Sequence, residues 1–158
     1  MPRLMFSVFA ERITADQFSN ALDVLNVIEQ LHVPEPPPAA VAKARERKRH
    51  PAVPGRLALL VHWRRSNPAK GESRLRQRVE LLSPRGTLLA SGEMDFTLAA
   101  SQYVRNVTNF QAVPVVGEGT YTARISVKVG KRWRRAGETS YELAYVRLPA
   151  PGAKLRVH

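Results

Sequence analysis

The chain has 158 residues, 44% of them hydrophobic, no cysteine and a net charge of +12 at pH 7. That length suits one domain able to bury roughly 70% of its unfolded surface, and the apolar fraction is too high for a disordered chain. The absence of cysteine excludes disulfides, thiolate nucleophiles and Cys-based zinc sites, and it fits a cytoplasmic, reducing setting.

Residues 4–10 alternate Leu4, Phe6, Val8 and Ala10 with Met5, Ser7 and Phe9. Both faces are apolar, which predicts a strand buried on both sides. The same run is broken by Ser7 and by Glu11-Arg12, so it lacks the long core of a secretory signal. No run of roughly 20 apolar residues predicts a membrane span. Residues 14–33 carry two readings. Phe18, Leu22, Leu25 and Ile28 fall near helical spacing, with Thr14 or Asp16 able to cap. The β-branched Val24, Val27, Ile28 and Val33, ending at Pro34, favour a strand instead. That strand turns at Ser19-Asn20 and pairs residues 21–33 back onto 4–13.

Six prolines fall between residues 34 and 54. Proline lacks a backbone donor, so neither end of this stretch can join a central strand. Residues 36–55 read as a basic, Pro-flanked insertion loop, with a short helix admissible over 39–49. Arg45, Arg47, Lys48 and Arg49 make this a candidate arm for an acidic partner or a phosphate backbone, beside the plainer reading of a solvated linker. Residues 56–65 predict a central strand ending in Arg64 and Arg65. His62 on it has no second histidine at ligand spacing and reads as a packing or solvent-facing residue.

A polar loop over 66–73 leads to residues 74–82, where Leu75, Gln77, Val79 and Leu81 alternate with Arg74, Arg76, Arg78 and Glu80. The three arginines stand about 7 Å apart along one exposed face. A nucleic-acid backbone can follow such a stripe, although the solvated outer face of a sandwich looks the same. Ser83-Pro84-Arg85-Gly86 is a turn. Residues 87–98 form the next strand, with Gly92 at a candidate bulge. Residues 103–113 are polar enough for an edge strand. Residues 119–146 form the hairpin around which the fold is built, with Tyr121, Ala123, Ile125, Val127 and Val129 on one face of its first arm. Gly130-Lys131 supplies the turn, and Tyr141, Leu143 and Tyr145 share a face on the second arm. Residues 1–147 thus make a single domain and 148–158 a flexible tail. The fold class is all-β, an antiparallel β-sandwich of about seven to nine strands.

Residues 33–37, Val-Pro-Glu-Pro-Pro, follow an apolar strand and an Asn-led second strand. With the strand at 57–63, the turn Pro84-Arg85-Gly86 and the late Gly119-Thr120-Tyr121, this order resembles a bacterial domain family of unknown function. Pro36 stands where that family usually has an aromatic. The resemblance spans most of residues 3–146 and implies an immunoglobulin-like sandwich; it implies no catalytic residues.

The charge is uneven: residues 1–42 carry −3, residues 43–86 carry +10 and residues 87–158 carry +5. Such a field attracts acidic proteins, nucleic acid or anionic surfaces. No hydrolase, P-loop, zincin or dinucleotide motif is present. Glu93 and Asp95 share a strand face, and the plain reading is an acidic pair balancing nearby arginines. The expectation is therefore a non-catalytic module without a cofactor. It contacts an acidic protein partner or larger assembly, using the basic insertion and Arg132, Trp133, Arg134 and Arg135 of the hairpin, with Trp133 as anchor or as a lid over the core. The alternative is phosphate-backbone binding through the arginine face, with Trp133 stacking on a base.

Overall fold

The computed structural model describes residues 2–16, 21–65, 73–98 and 103–146. Within them the elements are β1 (Arg3–Ala15), β2 (Leu22–Val27), β3 (Gln30–Val33), α1 (Pro38–Glu46), β4 (Ala52–Val53), β5 (Leu57–Arg64), β6 (Ser73–Leu82), β7 (Leu88–Leu98), β8 (Tyr103–Phe110), β9 (Val113–Pro114), β10 (Gly119–Val129) and β11 (Arg132–Tyr145). A four-stranded sheet in the order β2-β1-β5-β8 faces a five-stranded sheet in the order β3-β11-β10-β6-β7. The fold is therefore an all-β sandwich. Strand segments exceed the expected number because one predicted strand divides into β2 and β3, and because β4 and β9 pair in a small sheet of their own.

Period-two burial builds the core. Tyr121, Ala123, Ile125 and Val127 of β10 join Tyr141 and Leu143 of β11 and Val79 and Leu81 of β6. Leu57, Leu59, Val61 and Trp63 of β5 and Phe9 of β1 oppose them. Each large side chain so buried contributes about 1.5–3 kcal/mol. β5 lies between β1 and β8, and every residue from 57 to 61 is buried, as expected of a central strand. One polar link crosses the layers. Gln77 Oε1 accepts from Trp63 Nε1 at 2.5 Å and from Asn106 Nδ2 at 3.0 Å, tying β6 to β5 and β8. Trp63 also stacks on Phe96, centroid to centroid 5.6 Å. It is a core residue, unavailable to bases.

Four expectations need correction. β1 is covered on both sides only from Phe9 and Ala10 onward, because Met5 and Phe6 are 42% and 47% exposed. The strand reading of residues 21–33 holds for β2, which pairs antiparallel with β1. β3 instead crosses to the other sheet and pairs parallel with β11. Asn26 adopts a left-handed φ of 53°, and Pro34 stops the segment after the crossing. Gly92 sits in regular register opposite Val79; the irregularity lies between Leu81 and Leu82. Residues 36–55 are not a loose linker: Pro36 and Val53 are buried, and Val115 N–H donates to Pro51 C=O at 2.8 Å. The Ser19-Asn20 turn, the loop at 66–72 and the tail at 148–158 lie outside the described residues.

Tyr121 closes the entry to the hairpin. Its hydroxyl donates to Gly117 C=O at 2.8 Å and accepts from Val116 N–H at 2.9 Å. Burial raises the pKa of this phenol against those two backbone bonds. Tyr141 stacks on it at 5.5 Å, and burial pushes the Tyr141 phenol up as well.

Candidate binding surfaces

The outer face of the five-stranded sheet carries the predicted arginine stripe, but β7 neutralises two of its three arginines, leaving Arg74 opposite Thr97. Register sets Asp95 opposite Arg76 and Glu93 opposite Arg78. Arg76 Nε donates to Asp95 Oδ1 at 2.6 Å and its Nη2 to Oδ2 at 3.1 Å. Arg78 Nη2 donates to Glu93 Oε1 at 2.7 Å. The hydrogen bond from Arg76 holds the Asp95 carboxyl below its ordinary range. The acidic pair thus does balance the arginines. Trp133 is not a lid over the core but a half-buried residue of the outer face. It pairs across β10 with Lys128, and the Arg78 guanidinium covers its ring at 4.0 Å. Arg135 is bonded to Glu138.

The basic arm stands apart. Arg45, Arg47, Lys48 and Arg49 are all exposed around the end of α1. The helix buries no residue, so its sequence favours helix by propensity and by Lys43 and Arg45 in the last turn, where they complement the dipole. The chain then returns through His50, which borders a cleft of about 480 Å³ with Ser83, Arg85, Thr87 and Glu118.

The remaining predicted cations meet at the opposite end. β5 runs away from the arm and ends at Arg64; β6 starts beside that end, and the β10–β11 turn reaches the same pole. Arg3 pairs across β1 and β5 with Arg64. Arg65, Arg74, Arg132 and Arg134 join them, as do Arg105, Lys128 and Lys131, which sequence reasoning did not single out. Arg74, Arg76 and Lys128 line an open cleft of about 810 Å³ there, with Asp95. Among the described residues, Asp95 and Glu93 are the carboxylates nearest this pole by register, and both already hold arginines.

Comparison with protein-family models, with curated proteins and with solved structures finds no match. The resemblance read in the sequence therefore carries no residue roles onto this chain.

The outer face of the four-stranded sheet is where the second buried face read for residues 4–10 and 56–65 is found. Ala10, Ile13, Ala58 and Leu60 form a second buried cluster, with Val8, Leu22, Val24 and Val107 packed on it. Val27, opposite Ala10, is 56% exposed. The signal was present as unbroken apolar runs in β1 and β5, which normally mean cover on both faces. Toward the basic pole this face turns aromatic. His62 lies edge-on to Phe6 at 4.8 Å and to Tyr103 at 5.5 Å, and Arg105 sits 5.2 Å from the Tyr103 ring. Burial first, and Arg105 second, lower the His62 pKa. Its Nδ1 has no hydrogen-bond partner among the described residues. No group of three His, Asp or Glu side chains stands at metal-binding spacing among the described residues, and no described helix is long and apolar enough to cross a membrane.

Proposed function

We propose that this chain is a non-catalytic assembly module that docks a protein partner on the outer face of its four-stranded sheet. The observation that carries this reading is the apolar edge beside the second, buried cluster on the far side of that sheet, where Leu25 and Val27 of β2 are 40% and 56% exposed. A surface of this kind marks interaction sites when it stays open. The net charge of +12 favours a partner that is acidic overall.

An immunoglobulin-like reading of the sandwich supports this role, since such folds serve as binding scaffolds. The order β11-β10-β6-β7 matches the G-F-C-C′ sheet of variable-type domains, and the Tyr121 hydroxyl bond to Gly117 matches a tyrosine corner. The buried Trp63 departs from that plan. It lies on β5, the B equivalent, rather than on strand C.

The test replaces Val27, which is exposed, with glutamate, and uses Ser140→Glu on the other sheet as control. Tagged proteins are used for capture from host extract and for sedimentation velocity. Wild type and Ser140→Glu are expected to retain one defined complex that Val27→Glu loses. An identical profile for all three, with circular dichroism spectra unchanged, rules out the docking face.

A further inference from the structure

We propose that the basic pole binds single-stranded nucleic acid. This goes beyond the docking face and does not depend on it. Five strands and a turn bring six exposed or half-exposed cations to one end of the sandwich: Arg3 and Arg64 on the four-stranded sheet, and Arg74, Lys128, Lys131 and Arg132 on the five-stranded sheet. Among the described residues, their nearest carboxylates by register are held by Arg76 and Arg78. The field at this pole is therefore strongly positive, in contrast to the balanced Arg76 and Arg78 beside it.

Charge alone would suit any polyanion. Aromatic side chains narrow the ligand class. Phe6 and Tyr103 are 47% and 42% exposed at the border of the pole, one on each side of His62. Arg64 pairs with Arg3 on one side and with Tyr103 on the other. Ring edges and faces alternating with guanidinium groups, at a strand spacing of about 4.8 Å, suit unstacked bases linked by phosphates. Duplex DNA offers no base faces to such rings, and the described residues place no helix at this pole to enter a groove. An acidic protein would satisfy the cations but leave the rings without planar partners. Trp133 is not one of these rings: it lies on β11 of the other sheet, opposite Lys128.

The test uses the full chain and fluorescein-labelled oligo-dT and oligo-U of about 20 nucleotides, with fluorescence anisotropy over a salt series. With four to six phosphates neutralised, affinity falls roughly a hundredfold between about 50 and about 200 mM salt. Replacing Arg64, Arg74 and Arg132 together with alanine makes the logarithmic salt slope shallower by about 2. Phe6→Ala with Tyr103→Ala weakens binding about fivefold or more at constant salt. Alanine at Arg45, Arg47, Lys48 and Arg49 in the distant arm leaves the affinity within twofold of wild type.

Four results would overturn the proposal: no binding at the lowest salt; equal affinity for duplex; competition by poly-glutamate as effective as by oligonucleotide; or loss on the arm variant with none on the pole variant. Val27→Glu is expected to bind oligonucleotide as wild type does, so failure of the docking face and failure of the pole read out separately.

Discussion

Replacing Gln77 with leucine tests the layer packing most directly. Gln77 is 1% exposed, and its Oε1 is the shared acceptor for Trp63 Nε1 and Asn106 Nδ2. Leucine fills a similar volume but accepts nothing. Two donors then remain desolvated, each costing about 1–3 kcal/mol. Leucine's gain in apolar burial offsets part of this, so the net loss is about 2–4 kcal/mol. Urea unfolding followed by tryptophan fluorescence measures it directly, because Trp63 reports on its own site. The expected result is a lower midpoint at an unchanged slope. Adding Asn106→Val should cost less than its single-mutant value, since one of the two orphaned donors is then gone. A loss below about 0.5 kcal/mol for Gln77→Leu, or strict additivity of the pair, would show that this polar link does not hold the sheets together.

Tyr121→Phe removes one donor and one acceptor from the Val116–Gly117 corner, with an expected loss of about 1–2 kcal/mol by urea unfolding. Gly119→Ala forces a side chain onto φ 126° and sets its Cβ 3.2 Å from Pro84; thermal unfolding should show a loss of about 1–3 kcal/mol. His62 supplies a pH prediction. Its folded pKa lies below the ordinary 6.5, so the folded state binds fewer protons than the unfolded chain, and stability falls as pH drops below about 6.5. Urea midpoints at several pH values between 5 and 8 should show this decline, and His62→Gln should flatten it.

Much of the fold was legible because alternation is a local signal. Residues 74–82 announced which side chains face inward, and Gln77 took its inward place despite being polar. The hairpin at 119–146 was legible for the same reason. What a strand's neighbours are is not local. Nothing in residues 74–78 says that β7 will set Asp95 and Glu93 beside Arg76 and Arg78, yet that pairing balances two arginines of the stripe. The same limit explains Trp133, whose fate depends on Arg78 two strands away in the sheet. The pole was invisible for a related reason. Arg3, Arg64, Arg74 and Arg132 are far apart along the chain and meet only once strand directions are known. For β1 and β5 the two-sided apolar pattern was read correctly around Ala10, Ala58 and Leu60, but period two alone does not say that β1 opens at Met5 and Phe6.

The parallel pairing of β3 with β11 has a consequence for synthesis. Gln30 meets Glu142 and Val33 meets Tyr145, partners more than a hundred residues apart. During translation β3 emerges early and must wait, unpaired, until almost the whole described chain has left the ribosome. Contacts this distant form slowly, and an expectant strand edge is where a growing chain is most prone to mispair. The prolines that follow β3 offer the waiting segment few backbone donors with which to extend a wrong ladder.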